Sequence, residues 1–298
     1  MLEDKADEVL KFVRRGRMLP PLGTVGREWL LAYLAFQKSR TPSAMRHVTV
    51  FRDYFRELLG DAIPGPETDV HPLALTLSVA KDVVPLTLDL EMHLLLNETN
   101  IEFITSDDPV VIHNQYCEGI AYQGVLGWSC TGLQVFFPIS PTELLMLFDR
   151  DVYRVGRSHR GESTTIVSDP RDVEMVNSLQ IHNAEDNVYF GGQRGAQAIV
   201  QQCHVVSAKR RTSRFTFIET ERVKETPTRE AAIIGHHENL LPVQLAATVI
   251  AIRKAAKRVP LAARASYRRG QRKARQTQRS GAAPQTKRYP FKTITRMK

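Results

Sequence analysis

The sequence predicts an α+β fold: a helical N-terminal half packed on a small, mostly antiparallel sheet with further helices, then a disordered basic C-terminal tail. Three observations predict it. Apolar residues recur with a helical period over residues 1–93. From about residue 94 they fall into short runs separated by turn residues, the mark of strands. After Val259 the chain is mostly Arg, Lys, Gln, Ser, Ala and Pro without apolar periodicity, too polar to offset the entropy of ordering.

Each helix has its own signals. EDKADEVLKFVRR places Val9, Leu10 and Val13 on one side, and GREWLLAYLAFQKSR does the same with Trp29, Leu30, Tyr33, Leu34 and Gln37. Pro42 disfavours helical geometry at Thr41 and can open the next helix, whose stripe runs through Met45, Val48, Phe51, Tyr54, Phe55 and Leu58 to a Gly60 cap. DAIPGPETDVHP reads as a loop, with a fourth helix from the low 70s. HLLLNET, EFITS, PVVIHN, LQVFFPIS and TELLMLFD read as strands with connections short enough for antiparallel pairing. SDPRDVEMVNSLQIHNA returns to helix, capped by Ser168 or Asp169, with Pro170 in its first turn and Val173, Val176, Leu179 and Gln180 inward. A strand at NVYFGG, a helix at GAQAIVQQCHVV and a last strand at RFTFIETE follow. The expected organisation is one domain over residues 1–240, with its sheet-containing part at 94–222. An amphipathic basic helix over 241–258 and a disordered tail over 259–298 complete it.

Composition narrows the function classes. Of 298 residues 42% are apolar and 24% charged, ordinary for a globular protein with a sizeable core. The net charge of +9 is unevenly spread: residues 253–298 hold 16 Lys and Arg and no acid, whereas the 252 residues before them hold 25 basic and 32 acidic side chains. The tail is therefore the candidate nucleic-acid partner, through Arg268, Arg269, Arg272, Lys273 and Arg275 among others. Three cysteines, Cys117, Cys130 and Cys203, with no C-x-x-C pair argue against a secreted disulfide framework and exclude a four-thiolate zinc site within the chain. The N-terminus is too acidic for a signal peptide, and the longest apolar run, 240–252, is too short to span a bilayer. A cytoplasmic protein is expected.

One stretch carries candidate chemistry. In FITSDDPVVIHN, residues 103–114, Asp107 and Asp108 point to opposite faces of an extended strand, so they do not share an ion unless the chain breaks there. Asp107 has two readings: a turn carboxylate accepting backbone N–H groups beside Pro109, or a general base and ligand for a divalent metal at a strand end. The nine histidines show no H-x-x-x-H or H-E-x-x-H spacing, and no serine sits in G-x-S-x-G. Gly191-Gly192 with Arg194 and Gly195 ahead of a helix is a weak anion site, His236-His237 a solvated loop pair, and Trp128 a core or rim aromatic.

AFQKSRTP (35–42), FITSDDPVV (103–111), FFPISP (136–141) and VNSLQIHNAEDNVYF (176–190) together resemble, in order and spacing, the bacterial and fungal domain of unknown function 4238 family. The resemblance covers roughly residues 20 to 205 and implies a helical half joined to a sheet. It also implies that Gln37, Arg40, Ser140 and Asn177 are the polar residues associated with Asp107, with Ser106 beside it. The family's opening HYVPxxYLxxF has no match here, so the chain reads as lacking that N-terminal segment. The family's Asn stands as Asp108, which suggests that only Asp107 meets a strict requirement. The simplest expectation is an Arg40–Asp107 ion pair joining the helical half to the sheet. Two functions follow. One is a hydrolase, metal-assisted on a phosphodiester, using Asp107 with Arg40 and Asn177, and with Ser106, Gln37 and Ser140 as binding groups. The other is a non-catalytic binding or scaffold protein with a basic nucleic-acid-binding tail.

Overall fold

The computed structural model describes residues 2–59, 71–119, 124–156, 163–192, 194–208, 215–226, 229–259, 263–264 and 295–297. Four helices come first: α1 (Leu2–Gly16), α2 (Val25–Ser39), α3 (Pro42–Leu59) and α4 (Pro72–Thr87). Strands β1 (Glu91–Asn97), β2 (Thr105–Ser106), β3 (Val111–His113), β4 (Gln134–Ser140), β5 (Glu143–Phe148), β6 (Tyr153–Val155) and β7 (Thr164–Val167) follow. Then come α5 (Pro170–Asn183), β8 (Val188–Tyr189), α6 (Ala196–Ser207), β9 (Phe215–Thr226), β10 (Arg229–Glu238), β11 (Ile250–Ile252) and β12 (Thr295–Met297). The fold class is α+β, as expected.

The main sheet has the order β3-β4-β5-β1-β7, antiparallel except for the β1–β7 pair. Both faces are covered, so the strands alternate between two cores rather than between core and solvent. Val135, Phe137, Leu145 and Leu147 pack toward Leu30, Leu31 and Leu34 of α2. Phe136, Leu144, Met146 and Phe148 pack toward Val173, Val176 and Leu179 of α5 and Ile199 of α6. His93 of β1 is held within this sandwich, its Nε2 2.7 Å from Thr165 Oγ1, and burial pushes its imidazole down to about 4. It stays neutral at pH 7.

Local signals were followed closely where the chain obeys its own sequence. Pro42 opens α3, and Asp169 caps α5 by accepting the Arg171 N–H at 3.0 Å. Val173, Val176, Leu179 and Gln180 all face inward. The expected loop at 61–72 and the Gly60 cap lie, but for residues 71 and 72, outside the described residues.

Three expectations fail. The basic helix over 241–258 does not form: this segment is irregular up to Thr248, adds β11 to β6, and ends in a 3-10 turn at Lys254–Arg258. Its backbone is held by distant groups, with Leu245 N–H donating to Glu118 at 2.8 Å and Thr248 N–H to Asp172 at 2.8 Å. Of the tail expected to be disordered, only residues 259, 263–264 and 295–297 are among the described residues. Ala263 bridges to Cys130, Arg264 is 3% exposed, and β12 pairs with β10. RFTFIETE is not the last strand either, because β10 follows as its antiparallel partner and contains His236 and His237, which are therefore not in a loop.

Candidate functional site

The TSDDP segment is not a hairpin turn. β2 pairs with β8 and β3 pairs with β4, so the two apolar runs flanking the aspartates belong to different sheets. Residues 102–109 thus run through the protein with few ladder bonds, and buried peptide groups must find other partners. Helix α5 supplies them. Asn177, Gln180 and Asn183 recur every three residues along its buried face. Asn177 donates to Glu102 O at 2.8 Å and accepts the Ile104 N–H at 3.1 Å. Gln180 donates to Pro109 O at 2.9 Å and accepts from Ser106 Oγ at 2.9 Å. Asn183 donates to Asp108 O at 2.6 Å. An amide carries both donor and acceptor, which is what an exposed peptide edge requires. Gln180 was legible as inward-facing; Asn183 was missed, although it continues the 177–180 spacing.

Asp107 caps the loop that leaves α5. Its carboxylate accepts the N–H groups of Glu185 at 2.8 Å, Asp186 at 2.8 Å and Asn187 at 3.0 Å. Burial pushes its pKa up, but these N–H bonds together outweigh burial and hold it below the usual 3.8. The carboxylate accepts backbone N–H groups, but from residues 185–187 far along the chain rather than from a local turn beside Pro109.

The expected Arg40–Asp107 pair is not formed. Arg40 Nε donates to Gln37 Oε1 at 2.8 Å and its Nη1 meets Glu3 at 2.5 Å, on the surface. Gln37 in turn donates to Tyr33 OH at 2.5 Å. A buried ion pair that does join the helical half to the sheet-containing part is Lys38–Asp108, 2.9 Å, with side chains 15% and 0% exposed. Helix geometry explains the exchange. Arg40 lies two residues, or about 200°, around α2 from Lys38. Lys38 instead continues the buried stripe of Leu31, Leu34 and Ala35 at i+7, i+4 and i+3. That stripe was the available signal for it. Ser140 is at the β4–β5 turn, donating to Glu143 Oε2 at 2.9 Å. Of the expected set, then, Ser106, Asp107 and Asn177 gather along one segment, while Gln37, Arg40 and Ser140 lie elsewhere. Arg268, Arg269, Arg272, Lys273 and Arg275 lie outside the described residues.

The glycine-rich anion site is filled from within. Glu102, 1% exposed, accepts the N–H groups of Gly191 at 2.8 Å, Gly192 at 3.2 Å and Arg194 at 2.9 Å. A Cβ at residue 191 would sit 3.0 Å from that carboxylate, which explains the glycine. Among the described residues no group of three or more His, Cys, Asp or Glu is placed to hold a metal ion.

A cleft of about 650 Å³ opens beside the Lys38–Asp108 pair, between α3, α4, the 124–128 loop and the β9–β10 hairpin. Phe51, Leu75, Val79, Ile112, Leu126 and Trp128 supply its apolar walls, and Lys38, His47, His237 and Glu238 its charged or titratable points. The His47 ring stacks on Phe215 with centroids 3.9 Å apart and planes 11° from parallel. Burial holds the His237 pKa below the usual imidazole value, so the ring is neutral at pH 7. Phe51, Leu75 and Val79 remain 41%, 37% and 55% exposed.

These features define a class: an α+β protein whose sheet lies between two helical layers, with an amide-locked TSDDP segment beside an apolar cleft. The chain belongs to the family described as Protein of unknown function (DUF4238), whose model matches residues 1–193. No curated protein and no solved structure matches it. No helix among the described residues is long and apolar enough to cross a membrane.

Proposed function

We propose that the chain is a small-molecule-binding protein whose site is the cleft between α3, α4, the 124–128 loop and the β9–β10 hairpin. The observation that carries this reading is the volume of about 650 Å³, apolar-walled, with one buried ion pair at its edge. Ligand sites have this size and make-up, many apolar contacts and a few fixed polar groups. The charge balance selects the ligand. Lys38 is already neutralised by Asp108 and Glu238 also lines the cleft, so the site disfavours an anion and favours a neutral apolar or aromatic molecule bearing one hydrogen-bond acceptor for the Lys38 ammonium.

The test is binding of a neutral solvatochromic dye, Nile red, by fluorescence. Val79→Asp puts a charge on the wall at an exposed helical position. It is expected to weaken dye binding by roughly tenfold or more while leaving the melting temperature within a few degrees. Equal binding by wild type and variant would remove the cleft from consideration.

Charge favours a second, separable activity. After Arg264 come eleven Lys and Arg and no acid, a sequence that attracts polyanions by counterion release. Deleting residues 265–298 is expected to abolish binding of a single-stranded RNA at low salt; binding that survives the deletion refutes this role. A metal-assisted hydrolase centred on Asp107 has less support, because that carboxylate already accepts three N–H groups and Arg40 is not beside it.

A further inference from the structure

Two smaller clefts adjoin across the β4–β5 turn, sharing Ser140 and Pro141 as their common wall. One, of about 580 Å³, is lined by Lys11, Arg14, Arg15 and Arg17 of α1 and its C-terminal end, and by Arg194. The other, of about 250 Å³, is lined by Phe103, Pro138, Ile139, Tyr189 and Phe190. We propose that the pair binds a nucleoside polyphosphate, with the base against Tyr189 and Phe190 and the phosphates on the five cations.

The electrostatics favour an anion despite two carboxylates in the cationic cleft. Glu102 is engaged by three backbone N–H groups, and Glu143 by Ser140 at 2.9 Å and Arg14 at 3.7 Å. Lys11 pairs with Asp7 at the surface, 2.6 Å. Arg15 and Arg17 have no ion pair among the described residues. Planar guanidinium forks suit phosphate oxygens in pairs.

Backbone geometry points the same way. Arg17 has φ of 48°, and it is the one positive-φ residue other than glycine among the described residues. That left-handed position just past a helix end normally takes glycine, and here Gly16 stands one residue too early to serve it. A strained arginine is held where an unstrained glycine would do, and its side chain lines the cleft. The aromatic half is also open to a ligand: Tyr189 and Phe190 are 53% and 38% exposed, and bases stack on such rings.

The test is isothermal titration of the full chain with adenosine triphosphate, tripolyphosphate, adenosine and a single-stranded oligonucleotide. Adenosine triphosphate should bind more tightly than tripolyphosphate and adenosine. Arg17→Gly and Tyr189→Ala should each weaken it roughly tenfold, the worth of one charge-assisted hydrogen bond or one stacked base. Binding of the oligonucleotide should be unaffected by the two variants. Because glycine suits a positive φ, Arg17→Gly should melt no lower than wild type, which separates lost binding from lost fold. Tripolyphosphate binding as tightly as the nucleotide would remove the aromatic half and overturn the proposal. An oligonucleotide whose binding is weakened by Arg17→Gly and Tyr189→Ala would replace it with a strand-binding surface. No binding would overturn it, and nucleotide affinity unchanged in both variants would place the binding outside these clefts and overturn it as well.

Discussion

Asp108→Ala is expected to cost about 3–5 kcal/mol, the range for removing one partner of a buried ion pair. The Lys38 ammonium would remain 15% exposed without its counter-charge. For a chain of this size each kcal/mol moves the melting temperature by about 2–4 °C, so a loss of about 10 °C is expected. Lys38→Met combined with Asp108→Leu should recover much of it, because the penalty comes from the stranded charge rather than from the pair. Asp107→Ala should cost less, about 1–2 kcal/mol, as for loss of a cap: two of its three N–H donors are in exposed positions where water can replace the carboxylate. A thermal melt in which Asp107→Ala falls further than Asp108→Ala would reverse this assignment.

Asp107 also carries an acid dependence. The folded Asp107 titrates below its ordinary 3.8, so the unfolded chain binds more protons in that window. Its stabilisation is fully present above pH 3.8 and is lost as pH falls through the lower folded value. Asp107→Asn should flatten that acid limb of the stability profile. A limb unchanged by the substitution would show that the three N–H bonds contribute nothing in solution.

Arg264→Ala is the second large expected loss, again about 3–5 kcal/mol. The guanidinium binds Asp89 through Nε–Oδ2 at 2.9 Å and Nη2–Oδ1 at 3.0 Å, and donates to Cys130 O at 3.1 Å and to Leu86 O. Leu86 and Asp89 lie at the end of α4, where carbonyls lack helical partners, so this one side chain closes a helix and pins the C-terminal segment. Arg264→Lys should recover less than half, since an ammonium cannot form the fork. Deleting residues 265–298 should cost less than Arg264→Ala, since β12 adds three paired residues at a sheet edge. If Arg264→Ala melts within about 1 °C of wild type, the residue behaves as ordinary surface charge.

Arg264 also marks how far the fold extends. The family match ends at residue 193, yet Ile199, Leu245, Ala247, Ile250 and Ala256 are buried in the same core as Phe136 and Val176 of the matched part. Read from composition, the segment around Arg264 is indistinguishable from the cationic run after it. Its place in the core depends on Asp89 and Cys130, which lie far back in the chain.

Legibility followed the range of the forces. The α2 stripe, the α5 cap and the strands of four or more residues in the main sheet came from local periodicity and capping, apart from β7. β6, β7, β8 and β11 are two to four residues long, too short for alternation to register, and of these only β8 was read as a strand. The segment 241–258 has a helical apolar pattern, but partners at Glu118, Val152 and Asp172 hold its backbone out of an α-helix.

By itself the sequence determined that this is an α+β chain of its family, that α5 turns Val173, Val176, Leu179 and Gln180 inward, and that Asp107 and Asp108 point apart. Those are consequences of backbone period and side-chain chemistry. Only the tertiary structure decided which aspartate meets the helical half and with which cation. A rotation of about 200° between Lys38 and Arg40 on α2 chooses between them, and that angle has meaning only once the sheet is packed against the helix.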